Sequence, residues 1–198
     1  MRRAFRLGMT ALAAAAMLPT GAPAQFSDSF NFLKAVKDRD GAKATTLVSK
    51  PGTVIIDTRD PASGETALHI VVKRRDTLWL GFLLGKGAKP DGRDAGGNTP
   101  LLLATQIGWT DGMSLLLDRR AGVDIANSSG ATPLIVAVQN HDIEAVRVLL
   151  AAGANPNKTD TSSGLSARDY AKRDQRSSAI LSAIDQTHPR PKAAVGPN

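Results

Sequence analysis

No cysteine occurs among the 198 residues. That excludes disulfides, thiolate metal sites and the lipid-modified cysteine of a lipoprotein, so the fold has to stand on packing alone. Histidine is nearly as scarce, with only His69, His141 and His188, and no two of them lie four apart as a helical zinc pair requires. No Gly-x-x-x-x-Gly-Lys-Ser/Thr phosphate loop is present. No Glu closes an acidic loop at the spacing of a calcium-binding hand. Without a converging base, acid or nucleophile, neither an enzyme nor a cofactor is expected.

Long apolar runs are missing too. The most apolar stretch, Leu7 to Leu18, has twelve residues, short of the ~20 that span a bilayer. Arg2, Arg3 and Arg6 precede it and Ala22-Pro23-Ala24 follows it, the pattern of a cleavable export signal over residues 1–24. The expectation is therefore a periplasmic or secreted protein starting near Gln25, with no membrane insertion after cleavage. The Arg pair lacks the polar residue and following Lys of a twin-arginine signal, which favours the general secretory route. Strong charge of one sign is absent as well. Of the formal +7, the leader holds +3 and Arg190 and Lys192 in the tail hold +2, leaving about +2 on the rest. Nucleic acid would demand a clustered basic face, so no nucleic-acid partner is expected.

What the chain does have is a phrase written three times. Gly64-Glu65-Thr66-Ala67-Leu68-His69, Gly97-Asn98-Thr99-Pro100-Leu101 and Gly130-Ala131-Thr132-Pro133-Leu134 start 33 residues apart, and Gly164 follows 34 further on. A Leu pair recurs at one offset (Leu83-Leu84, Leu116-Leu117, Leu149-Leu150), and acids or amides recur at two others (Asp91 and Asp94, Asp124 and Asn127, Asn157 and Asp160). Thr followed by Pro makes a good helix start. The spacing predicts helices near 66–74, 99–107 and 132–140, each followed by a second near 76–86, 110–119 and 142–151. Gly87 and Gly153 stand where a helix ends in positive φ; Arg120 holds that place in the middle copy. Gly81 and Gly112 lie inside second helices at a cost of about 1 kcal/mol each relative to Ala.

The period and the Thr-Pro-Leu start resemble the ankyrin repeat. The resemblance implies an all-α solenoid of three full repeats (64–96, 97–129 and 130–163) between degenerate capping repeats at 25–63 and 164–185. Phe30, Phe32, Leu33 and Val36, then Asp40-Gly41 and Leu47-Val48, supply the first cap, a degenerate repeat of the same 34-residue length. Ile180, Leu181 and Ile184 supply the last buried face. Arg168, in a place held by Leu in earlier copies, reads as a polar substitution on the outer side of a terminal repeat. Residues 186–198, rich in Pro and with little to bury, are expected to be disordered. The recurring acids read as turn residues bonding their own backbone, and His69 as a structural tie between loops.

Stacked repeats bind partners on an extended concave surface. The resemblance implies contacts from the residue after each leading Gly and from the outer end of each first helix. These are Glu65, Lys73 and Arg74; Asn98, Gln106 and Ile107; Ala131, Gln139 and Asn140; and, in the last cap, Leu165, Arg173 and Asp174. Trp109 is added as a candidate hot spot, with packing onto the neighbouring turn as its alternative. Trp79 reads as core. The expected function is a monomeric, non-catalytic protein-interaction module for a partner the sequence does not name. Alternatives are an accessory protein stabilising a periplasmic oxidative-stress enzyme, a toxin inhibitor or immunity factor, and a small-molecule or metal binder.

Overall fold

A computed structural model describes residues 22–187. Ten α-helices are found among the described residues: α1 (Ala22–Asp38), α2 (Gly41–Val48), α3 (Ala67–Lys73), α4 (Thr77–Gly85), α5 (Pro100–Gln106), α6 (Thr110–Asp118), α7 (Pro133–Gln139), α8 (Ile143–Ala151), α9 (Ala167–Arg173) and α10 (Ser178–Thr187). They pair as consecutive antiparallel hairpins. The first helices α1, α3, α5, α7 and α9 form one row, and α4, α6, α8 and α10 form a second row behind it. All but the last three residues of the proposed leader lie outside the described residues; Ala22, Pro23 and Ala24 form the start of α1. Gln186 and Thr187 of the supposed tail extend α10, where Gln186 bonds Ser182 Oγ and Thr187 bonds the Ala183 carbonyl. The other tail residues lie outside the described residues.

Local chemistry sets the helix starts. The Thr99 and Thr132 hydroxyls accept from the amides of Leu102 (3.2 Å) and Ile135 (3.3 Å), with Pro at the first helical position behind each. Second helices start on an aspartate: Asp40, Asp76 and Asp142 accept from the amides of Lys43, Trp79 and Ala145. Their ends match the spacing, with φ of 90° at Gly87 and 88° at Gly153. Arg120 adopts 62°, so the middle copy keeps the loop geometry and carries the strain. A second strained position recurs that the helix-end glycines do not announce. Between the helices of the first four hairpins, Arg39, Arg75, Gly108 and His141 all have φ between 53° and 61°. Arg75, Gly108 and His141 are 33 apart but Arg39 is 36 before Arg75, so the first cap is longer than the 34-residue frame implied.

Hairpin tips bind the repeats together. The amides of Ala95, Ser128 and Thr161 donate to the carbonyls of Ser63, Gly96 and Ser129 at 2.9–3.0 Å. A Cβ at Gly64, Gly97 or Gly130 would meet the next tip at 2.7 Å from Ala95 N, 2.6 Å from Ser128 Oγ or 2.4 Å from Thr161 N. Gly164, past the last full repeat, meets nothing. The leading glycines are therefore required by the neighbour, a reason separate from their positive φ.

The recurring acids divide into two sets. Asp60, Asp94, Asn127 and Asp160 accept from amides of their own turn, as read from the sequence. Asp57, Asp91 and Asp124 reach forward instead, accepting from the amides of Lys89 (2.8 Å), Gly122 (2.8 Å) and Asn155 (3.0 Å) in the following repeat. At the C-terminal end Arg168 is not an outward polar residue. It is 4% exposed and bonds Asn157 Oδ1 through Nε and the partly exposed Asp185 through Nη1, so an ion pair buried on its Arg168 side closes the stack where a further repeat would sit.

Candidate partner-binding surface

The inner first helices α3, α5 and α7 are buried on nearly every side, because each is flanked by two others and backed by a second helix. Only their last residues emerge, Lys73, Gln106 and Gln139, and Arg173 at the end of α9 continues the exposed column, at intervals of 33, 33 and 34. Beside this column runs an apolar floor of Ile70, Leu103 and Val136, each just breaking the surface, continued by the partly exposed Tyr170. An exposed polar row next to a fixed apolar floor, repeated at a constant interval, suits a partner that contacts several repeats at once.

The residues after the leading glycines are less available. Glu65 is mostly buried and ion-paired with Lys73. The Asn98 side chain bonds Asp94, accepts from Asn127 (3.2 Å) and Gln106 (3.5 Å), and its carbonyl takes His69 Nε2 at 2.9 Å. Ala131 and Leu165 are partly exposed.

The position after each exposed column residue is used inside the stack. Arg74, read as a contact residue, is instead a strut: its guanidinium donates to the carbonyls of Val36 (2.7 Å) and Lys37 (3.1 Å) at the end of α1 and to Asp76 (3.3 Å). Arg75 does the same in the other direction, donating to the Ile107 carbonyl. Ile107 itself packs against the core. Asn140 is exposed but donates to the Gln106 carbonyl at 3.4 Å. Asp174 pairs with His141 (3.3 Å) and Arg176 (3.3 Å), tying the last cap to the third repeat.

Trp109 is a correction. It is 7% exposed and belongs to the core. It occupies the helix-capping position that Asp76 and Asp142 hold elsewhere, makes no cap bond, and folds its indole onto α6. A Cβ on Gly112 would lie 2.1 Å from the ring, so Gly112 is the space that the indole fills. Trp79, read as core, packs against it but is only half-buried, on the side of α4 that faces α2.

Titratable groups in the tips serve the fold. His69 is fully buried. Nδ1 accepts from the Thr66 amide (3.2 Å) and Nε2–H donates to Asn98. Burial holds its pKa below the usual 6.5, outweighing the opposing Asn98 carbonyl. Burial raises the Asp160 carboxyl, but bonds from the Tyr170 hydroxyl, from Ser163 and from the Gly164 amide overcome it and bring the pKa down to about 2. Among the described residues no three His, Asp or Glu gather as a metal site would need.

Residues 68–160 match the family model for ankyrin repeats, in three copies. An 83-residue stretch, 40% of the chain, is 34% identical to oxysterol-binding protein homolog 1 of Saccharomyces cerevisiae, and it spans 7% of that protein's length.

Proposed function

Because the chain is an ankyrin-repeat protein, its repeats form a protein–protein interaction module, and we propose that it binds one partner protein on the concave surface without catalysing a reaction. The observation that supports this reading is the exposed column Lys73, Gln106, Gln139 and Arg173 beside the Ile70–Leu103–Val136 floor. Most other polar groups in the tips are consumed by the stack; these are exposed at fixed spacing, Lys73 while paired with Glu65 and Gln106 while 3.5 Å from Asn98 Oδ1. Their neutral middle, Gln106 and Gln139, selects by hydrogen bonding and shape more than by charge.

The basic, Ala-rich leader supports export, with the partner met in the periplasm. N-terminal sequencing of protein from the periplasmic fraction of the source cells should read from Gln25; an intact Met1 would remove the periplasm from the proposal. For the binding surface, a photo-crosslinking residue is placed singly at Lys73, Gln106, Gln139 and Arg173. One protein should be captured from at least two adjacent positions. No adduct at any of the four, or a different protein at each, would falsify the concave-surface reading.

A further inference from the structure

The second-helix row carries one feature the concave surface does not account for. Three equivalent positions face outward in the second helices α4, α6 and α8. In α6 they are Asp111, Ser114 and Asp118, and in α8 they are Glu144, Arg147 and Ala151. In α4 they are Leu78, Gly81 and Gly85. Leu78 is 85% exposed. A Cβ at either glycine would meet nothing within 4 Å, so neither is needed for internal packing. Helix α4 has no charged residue and is apolar all round, a composition that belongs to a covered helix.

Beside this face a groove of about 340 Å³ opens between α2 and α4, lined by Arg39, Gly41, Thr45, Leu78, Trp79 and Phe82. Trp79 and Phe82 meet edge to face with centroids 5.5 Å apart. The charge around it is positive in excess, with Arg39, Lys43, Arg74 and Lys86 against Asp76 and the exposed Asp40 that caps α2. At the start of α4, Arg39 and Arg74 share the single carboxylate of Asp76 (3.0 and 3.3 Å). Lys43 is the only charged residue on α2, and Lys86 stands exposed at the other end of α4. A second copy in either orientation would set basic ends against basic ends. Residues 1–21, whose only charged side chains are three Arg, are equally ill matched.

We propose that the α2–α4 groove is a second docking surface, for one amphipathic helix of a partner protein. The helix lies along Leu78, Gly81 and Gly85, where the absent side chains let its backbone approach closely. It inserts an apolar side chain between Leu78, Trp79 and Phe82. Carboxylates at its two ends face Arg39 and Lys43 on one side and Lys86 on the other. This surface is on the opposite side of the stack from the concave column, so the two proposals fail independently.

The test places a photo-crosslinking residue at Leu78 in the full chain, in source cells, and identifies the captured peptide by mass spectrometry. That peptide is then synthesised and titrated against the purified chain. It should be helical, with apolar residues three and four apart flanked by Asp or Glu, and its binding should blue-shift the emission of half-buried Trp79. Leu78→Asp and Gly81→Arg install residues that α6 and α8 already carry at these positions, so the fold should be retained. Each should weaken the peptide at least tenfold, whereas Gln106→Ala should not. The proposal is overturned by no adduct, by an adduct with a second copy, or by unchanged affinity in both variants. Binding to anionic phosphatidylglycerol vesicles that Leu78→Asp abolishes would likewise overturn it, in favour of a lipid surface.

Discussion

On the hairpin face, Gly64, Gly97 and Gly130 leave no room for a Cβ against the next repeat, whereas on the outer face Gly81 and Gly85 have open space. The first face repeats the same bonds three times: tip amide to tip carbonyl, and Asp57, Asp91 and Asp124 to the amide ahead. The second face is solved differently in each copy. An aspartate caps α4 and α8 while Trp109 stands at the start of α6, and outward residues are apolar in α4 but charged or polar in α6. Register between repeats is thus set at the hairpins, and the outer helices are free to diverge so long as each closes its own share of the core.

The sharpest way to break this comparison is inside the middle repeat. Trp109→Ala removes a buried indole and should cost about 3–5 kcal/mol in urea unfolding. Next comes the hairpin lattice. Gly130→Ala drives a methyl into the Thr161 amide and should cost about 2–4 kcal/mol, against about 1 kcal/mol for Gly164→Ala, which meets only backbone strain. Equal losses would mean that the tips do not set the register. Gly112→Ala should cost about 1–3 kcal/mol with Trp109 present. Combining Trp109→Asp with Gly112→Ala rebuilds the arrangement of α8, and should be about 2 kcal/mol more stable than Trp109→Ala, from a restored cap and a better helix former. The two sites are then coupled, and simple additivity would contradict the packing described.

Smaller effects sharpen the same contrast. Gly81→Ala should raise stability by about 0.5–1 kcal/mol, since nothing opposes the methyl. Arg120→Gly should gain a few tenths to about 1 kcal/mol by relieving positive φ. The hairpin face should also show in the pH dependence. His69 is neutral and hard to protonate when folded, whereas in the unfolded chain it takes a proton below about 6.5. Stability should therefore decline as pH falls from about 6.5, and a His69→Gln chain should lose that slope. Asp160, held at about 2, adds stability that is present above the unfolded value near 4 and vanishes as pH falls toward 2.

Much of the hairpin face was legible in the sequence because it is periodic. Thr99-Pro100, Thr132-Pro133, Gly87 and Gly153 state their roles by spacing alone. The forward reach of Asp91 was not legible, since spacing fixes where a carboxylate recurs but not which amide it meets. Trp109 was misread because a turn residue is normally solvated. The usable signal was Gly112 three residues later, where the next copy has Ala145: a large residue gained in step with a small one. Arg168 was misread because its partner Asp185 lies outside the repeat frame. In the exposed column, the exposure of Lys73, Gln106 and Gln139 follows the frame, but the same frame included Arg74, whose length lets it reach back to α1.

The measurement that bears most directly on the concave surface uses the partner captured at Gln106 and Gln139. Its affinity is compared, by titration calorimetry, for the unaltered chain and for Gln106→Arg with Gln139→Arg. Both residues are exposed, so the melting temperature should stay within a few degrees while binding falls at least a hundredfold. Undiminished binding with an intact fold would show that the partner sits elsewhere, and the concave surface would no longer be its site.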